Sequence, residues 1–354
     1  MNLLITLDFP PETGGIQRYL HDIVMHTFSG EDVVITGGSR ARSVENDRLY
    51  PCRIVRVGFP FARINKKIIL IPIVLHVLFY IVKVRNLRIV AGNVYGALVP
   101  WAVSRLMPVR YQVYCYGTEL LPPAGRSLRT VLWKSVFTGA ETVYYLTGAT
   151  LKLLGEVYAC SRCVRRVPKI DVPVYDITEN ARSGRDVVHL LSVGRLVPHK
   201  GHANLISALA QLTLQQWRLA IVGEGPEYGR LDRQIRQFSL EGKVTIHTGI
   251  ADAELPHFYR RADIFVLPSI TTLTGVEGFG IVLLEAMAYG AAIIASRSGG
   301  IEEVVDNNED IALLVPQGDR CALQEAIIHL ISDTRLRRKM AASAREFLES
   351  RYAW

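Results

Sequence analysis

Cysteine is scarce here, and what there is forms no metal set. The chain of 354 residues has five cysteines. Cys160 and Cys163 are the only close pair, and no second Cys-x-x-Cys or His pair completes a zinc site. The expectation is a reduced, cytoplasmic chain that holds no metal. No Gly-x-Gly-x-x-Gly follows a predicted strand, so a dinucleotide-binding Rossmann site is not supported. Asp-x-Asp is missing as well, and Asp252-Ala253-Glu254 falls in a predicted surface turn. The net charge of +8 and pI near 9.3 would suit nucleic acid, an anionic membrane or a phosphorylated substrate. No aromatic-interleaved basic motif supports nucleic acid. The first residues, MNLLITLDFPP, carry neither a basic n-region nor a cleavage site, and so do not read as a signal peptide.

A bilayer-spanning run is also lacking. The most apolar stretch, Lys66 to Arg85, has an uncharged core of 15 residues, Ile68 to Val82, interrupted by Pro72 and His76. About 20 residues are needed to span. Its first reading is a buried helix. Its second is a helix exposed at a membrane interface, with Lys66, Lys67, Lys83 and Arg85 at its ends.

What is present is α/β periodicity. Hydrophobic residues make up 49% and charged residues 21%, which fits large cores, and the length suggests two or three domains. Asn2–Leu7 reads as a buried strand. A breaker-rich loop, Asp8 to Gly15, follows it, and Gly14 and Gly15 open a helix with apolar residues at Ile16, Tyr19, Leu20, Ile23 and Val24. Strands are predicted at 32–36, 53–57, 88–91, 111–116 and 142–146. Residues 168–185 are rich in Pro, Asp, Ser, Gly and Arg and break the periodicity. The pattern then restarts, with strands at 187–193, 218–222, 243–247, 264–267 and 291–295 and helices at 320–330 and 333–352. The boundaries that follow are a first domain over 1–175, a linker over 176–186, a second domain over 187–335 and a C-terminal helix over 336–354. Two doubly wound Rossmann-like sheets facing across a cleft are the expected architecture.

The densest chemistry lies between Gly275 and Gly290. A strand, ADIFVLPS, leads into the loop Gly275-Val276-Glu277-Gly278-Phe279-Gly280. The helix IVLLEAMA then carries Glu285 two turns in. Bare amides at a helix start suit an anion. Carboxylates beside a phosphate would repel it, so Glu277 and Glu285 should meet uncharged hydroxyls. A phosphate-friendly turn with two hydroxyl-seeking carboxylates suggests a nucleotide sugar. Arg195 and Lys200, on the loop after the second domain's first strand, would share the same sheet edge. Arg offers a fork for a diphosphate and Lys a point charge.

Taken together, DFPPETGGIQRYL, SVGRLVPHKGH, IVGEGPEYGRL, ADIFVLPS to GVEGFGIVLLEAMAYG, and SGGIEEVV resemble retaining glycosyltransferases of family 4. They span the chain nearly end to end. Glu277 and Glu285 match that family's E-x7-E signature. The versions DFPPETGGIQ and GVEGFGIV are similar to a phosphatidyl-inositol mannosyltransferase B-like branch. The resemblance implies the GT-B architecture and transfer of a hexose from a GDP- or UDP-linked donor, with no cofactor. The acceptor would be a glycan or a lipid-linked hydroxyl. Arg195 and Lys200 would hold the diphosphate, Glu285 the ribose, and Glu277 the transferred sugar, with Gly194 also among the donor-binding residues. The amides of Gly278, Phe279 and Gly280 would meet sugar or diphosphate. Gly14 and Gly15 would admit phosphate and acceptor, and Gly223 and Glu224 would border the nucleobase.

Two departures stand out. The family's His-Gly pair is Tyr116-Gly117 here, so the Tyr116 hydroxyl would have to serve for the histidine. The chain also stops, at Trp354, where the family's last helix usually crosses back to the first domain. They leave room for a nucleotide-sugar-binding protein with impaired catalysis. An epimerase or phosphorylase on the same fold is a further alternative. Basic charge and the 66–85 stretch add an expectation of peripheral contact with the inner face of the membrane.

Overall fold

The computed structural model describes residues 1–12, 14–37, 47–58, 70–121, 128–159, 161–173, 187–212 and 216–354. The expected linker, 176–186, lies outside the described residues, as do Lys66, Lys67 and Cys160. The chain forms two compact units, Met1–Val167 and Pro168–Trp354.

Among the described residues the first unit is a seven-stranded, wholly parallel sheet. Its strands are β1 (Asn2–Thr6), β2 (Val33–Gly37), β3 (Arg53–Val57), β4 (Arg88–Ala91), β5 (Tyr111–Cys115), β6 (Thr142–Tyr145) and β7 (Cys163–Arg165), in the order β3-β2-β1-β4-β5-β6-β7. Helices α1 (Gly15–Thr27), α2 (Leu70–Lys83), α3 (Val94–Val103), α4 (Leu128–Gly139) and α5 (Gly148–Val157) connect them. The central strand β1 and its neighbour β2 are largely apolar and buried, as strands covered on both faces must be. Leu3, Ile5, Val33, Ile35, Val113 and Val143 form the core with Val77, Val99 and Phe137 from the helices.

α2 is buried on one side only. Ile73, Val77 and Tyr80 are buried, while Leu75, Phe79 and Val82 are exposed. Cys163 is disulfide-bonded, whereas Cys52, Cys115 and Cys321 are free. This corrects the expectation of a fully reduced chain, which rested on the lack of a zinc set. That lack bears on metal binding and not on oxidation.

Among the described residues the second unit repeats the winding with six parallel strands. These are β8 (Val188–Val193), β9 (Trp217–Val222), β10 (Val244–His247), β11 (Ile264–Leu267), β12 (Ala292–Arg297) and β13 (Ala312–Pro316), in the order β10-β9-β8-β11-β12-β13. Its helices are α6 (His202–Leu209), α7 (Tyr228–Gln237), α8 (Leu255–Arg261), α9 (Ile281–Ala288), α10 (Ile301–Val304), α11 (Arg320–Ser332) and α12 (Thr334–Arg351). α9 is apolar nearly all round and buries Leu283, Leu284 and Met287 completely. Each such side chain contributes about 1.5–3 kcal/mol. α12 packs against α9 and β12 within this unit, and just beyond it Tyr352 donates its hydroxyl to Val304 O at 3.1 Å. Both units have the central 3-2-1-4-5-6 winding of doubly wound α/β folds.

Candidate functional site

In the second unit the chain leaves the central strand β8 toward β9 on one side and β11 on the other. Such a reversal opens a crevice at the carboxyl edge, where α/β sheets bind ligands. The loops after β8, β9, β11 and β12 interlock there. Gly194 N donates to Val222 O at 3.0 Å, and Leu196 N to Glu224 O at 2.7 Å. Gly223 lies so close to its neighbour that a Cβ would fall 1.9 Å from Gly194 O. Gly300 N donates to Glu277 O at 2.9 Å. Gly299 has φ +57°, and a Cβ on it would fall 2.0 Å from Glu277 O. Only glycine admits both the left-handed backbone and that approach.

Glu277 is the centre of this arrangement. It is 7% exposed, and its Oε2 accepts from Lys200 Nζ at 2.7 Å and from Ser269 Oγ at 3.0 Å. Burial alone would push the carboxyl up. The adjacent Lys200 charge and the two hydrogen bonds outweigh it and hold the pKa below its ordinary value. Glu277 is therefore a carboxylate whose other oxygen is not used by these two donors. Lys200 also runs along Gly194, where a Cβ would lie 3.4 Å from its Cδ. Beside it, His199 is buried, and burial followed by the Lys200 charge lowers its pKa and keeps the ring neutral. Arg195 is exposed, and among the described residues its guanidinium has no hydrogen-bond or ion-pair partner.

The second carboxylate is held differently. Glu285 is half-buried on α9, and Tyr259, from the end of α8, donates its hydroxyl to Glu285 Oε2 at 2.6 Å. The Tyr259 ring stacks on Tyr289 at 5.7 Å and 4°. Gly280 caps α9 with φ 81° and no side-chain cap, so the first amides of the helix are not taken by a capping side chain. The Phe279 ring packs edge-on against Tyr352 at 5.9 Å, which leaves its backbone as the group it can offer beside Gly278 and Gly280. Glu224 is exposed and accepts from Gly249 N at 3.0 Å, tying the loop after β9 to that after β10.

Gly14, Gly15 and Tyr116 lie in the first unit. Gly14 precedes α1 with φ 153° and no side-chain cap. Tyr116 is buried, with its hydroxyl donating to Gly92 O at 2.7 Å and its amide to Glu119 Oε1 at 2.6 Å. Its ring is stacked 6.4 Å from Tyr114 and lies edge-on to Tyr19. Burial pushes the hydroxyl pKa well up, so its proton stays on and is committed to the Gly92 carbonyl. Asn93 Nδ2 donates to Asp8 Oδ2 at 2.5 Å at the same sheet edge.

Several of these groups escaped the sequence reading. Ser269 ends the ADIFVLPS motif, whose position at a strand's carboxyl end was a usable signal. Tyr259, Asp8, Asn93 and Glu119 carried no signal in their spacing.

Residues 178–347 match the family Glycosyl transferases group 1. The chain is 28% identical over 376 residues to the Mycolicibacterium smegmatis protein named GDP-mannose-dependent alpha-(1-6)-phosphatidylinositol monomannoside mannosyltransferase, covering 99% of this chain and 94% of that one. A Corynebacterium glutamicum protein, GDP-mannose-dependent monoacylated alpha-(1-6)-phosphatidylinositol monomannoside mannosyltransferase, is also 28% identical, with the same coverage of 99% and 94%. Among solved structures, sucrose-phosphate synthase from Thermosynechococcus elongatus superposes with a TM-score of 0.83 at 21% identity, covering 100% of this chain and 94% of that one. Anabaena HepE in complex with UDP-glucose gives 0.82 at 21%, covering 100% and 96%. These structural likenesses establish the fold class as GT-B.

Proposed function

We propose that this chain, whose residues 178–347 match Glycosyl transferases group 1, is a glycosyltransferase that moves a hexose from a nucleoside diphosphate sugar to a glycan or lipid-linked hydroxyl, with retention and without a metal. GDP-mannose is the first candidate donor, because the full-length relatives are named for it; a UDP-sugar is the second. The carrying observation is the Lys200–Glu277 contact at 2.7 Å on an interlocked glycine edge, with Glu285 held by Tyr259 nearby on α9.

In this reading Arg195, Lys200 and the amide of Gly280 neutralise the diphosphate as the anomeric C–O bond breaks, and Gly194 contributes the close backbone along which Lys200 runs. Glu277 accepts from a hydroxyl of the transferred sugar and Glu285 from the ribose. Gly223 and Glu224 border the base. The acceptor oxygen bonds to the anomeric carbon on the face the diphosphate leaves, and a donor phosphate oxygen takes the acceptor proton. Gly14 and Gly15 admit phosphate and acceptor. Tyr116 acts by shaping the sheet edge through its bond to Gly92, since its proton is already used. The acceptor is met at the inner face of the membrane. Glu277, Glu285, Arg195 and Lys200 favour transfer over epimerisation or phosphorolysis on the same fold.

Calorimetry with a panel of GDP- and UDP-sugars tests this. One donor should bind selectively, and Arg195→Ala/Lys200→Ala should abolish that binding. Failure of every nucleotide sugar to bind would overturn the reading.

A further inference from the structure

The net positive charge of this protein lies in one unit. Residues 1–167 contain 21 Lys and Arg against 10 Asp and Glu, a net +11; residues 168–354 contain 20 against 23, a net −3. Within the first unit the asymmetry sharpens. From Arg48 to Thr118, 71 consecutive residues hold 11 Lys and Arg and no Asp or Glu. α2 and α3 lie inside that stretch and pack against each other on the sheet.

The outer side of α2 is apolar where a water-facing surface should be polar. On α2, Leu75 is 68% exposed, Phe79 56% and Val82 83%. Their spacing of four and three residues sets them in one stripe, opposite the buried Ile73, Val77 and Tyr80. Just past the end of α3, Leu106 is 90% exposed. Cations stand where the stripe ends. Lys83 sits 5.4 Å over the Phe79 ring, Arg85 is exposed two residues on, and Arg105 flanks Leu106 while resting 5.3 Å from the Trp101 ring. As crossovers of a parallel sheet, α2 and α3 run opposite to the strands and end at the same edge. The cations are thus gathered there. α2 has 14 residues, and no helix among the described residues is long and apolar enough to cross a membrane.

We infer that the α2–α3 face is a docking surface for an anionic lipid bilayer, with Leu75, Phe79, Val82 and Leu106 entering the headgroup–acyl boundary and Lys83, Arg85 and Arg105 meeting lipid phosphates. An amphipathic helix lying in the interface, apolar on one side and basic at its rim, binds by both terms. A neutral protein partner would not need the acid-free stretch, and a second copy of this face would bring its cations against their like. The inference deepens the proposal of a membrane-met acceptor by naming the surface, and vesicle binding can be read without any transfer activity.

Flotation with phosphatidylcholine vesicles, and with vesicles containing phosphatidylglycerol, tests it at low and high salt. The wild-type protein should float with the anionic vesicles only, and salt should weaken this. Phe79→Ser/Val82→Ser and Lys83→Glu/Arg85→Glu should each lower partitioning by about tenfold or more. All four residues are exposed, so melting should match the wild type, and donor binding by calorimetry should be unchanged in both variants. Absent flotation, or equal flotation of wild type and variants, overturns the inference. So does a concentration-dependent dimer that Phe79→Ser/Val82→Ser dissolves, which would make a second copy the occupant. Intact donor binding in any of these cases leaves the glycosyltransferase reading standing.

Discussion

Lys200 and Glu277 are 77 positions apart in sequence, and their charged ends are 2.7 Å apart in the folded chain. Neither is free to wander. The lysine side chain is 13% exposed and the glutamate 9%, and Ser269 holds the same carboxylate oxygen. Removing one partner leaves the other buried and unpaired, which costs several kcal/mol in comparable pairs. Lys200→Ala should therefore lower thermal stability as well as donor affinity, whereas exposed Arg195→Ala should lower affinity alone. Equal melting of the two variants would contradict this account of the pair.

Glu277→Ala should cut turnover by about 10²-fold or more, because the transferred sugar and Lys200 both lose the group that positions them. Secondary structure by circular dichroism should be retained. Wild-type turnover in the variant would remove Glu277 from its role.

Glu285 and Tyr259 should behave as a unit. Glu285→Gln should mainly raise the donor dissociation constant. Tyr259→Phe deletes one hydrogen bond to a charged group and should weaken donor binding by about tenfold. The useful readout is a 2′-deoxyribose donor. If Glu285 contacts the ribose, that analogue should bind the wild type and Tyr259→Phe almost equally. An undiminished preference for the ribose in Tyr259→Phe would show that the tyrosine does not orient the carboxylate.

Acid should unfold the second unit through two groups of opposite chemistry. Buried His202 has its pKa lowered to about 3, by burial first and then by the Lys200 charge. The unfolded chain binds this proton near pH 6.5. Stability should thus decline as pH falls below that value, by up to about 1.4 kcal/mol per pH unit, until the folded ring protonates. His202→Leu should remove roughly one proton's worth of that slope. Glu277 adds a second loss lower down. Its folded pKa is depressed below 4.5, so its contribution is complete above that value and disappears as pH drops through the folded one. Glu277→Gln should flatten only this lower limb. Urea melts between neutral and acidic pH separate the two.

Gly299→Ala should cost more than an ordinary loop substitution. The new methyl meets the Glu277 carbonyl oxygen, and the backbone must leave φ +57°. Turnover should fall further than donor affinity, because the displaced group is the backbone that carries Glu277. Unchanged kinetics would mean the two loops are not coupled.

Much of this was legible from residues alone, for a physical reason. Buried parallel strands must be apolar throughout, so IFVL and AAIIA stand out between breakers. β7 and β13 were missed because they are short of apolar, buried residues. Cys163–Arg165 is three residues with two of them exposed, and ALLVP is only partly buried. The candidate site divides the same way. Glu277, Glu285, Arg195 and Lys200 sit in motif loops whose glycines mark them. Ser269, Tyr259 and His202 act through contacts that only tertiary packing creates. Tyr116 was read as offering a hydroxyl to substrate, and nothing in YCYG foretold that Gly92 would take its proton.

The winding of the sheets also has a consequence in time. β1 needs both β2 and β4, and Asn2 pairs with Arg88, 86 positions later. On a ribosome adding about 5–20 residues per second, one side of β1 stays open for roughly 4–17 s. The second unit repeats this delay, because Leu190 of β8 waits for Ile264 of β11. These are among the most apolar segments in the chain, and an unpaired apolar edge is an aggregation hazard. The strand order that gathers the ligand loops at one edge thus imposes two waiting periods during synthesis, each with a sheet's central strand half-paired.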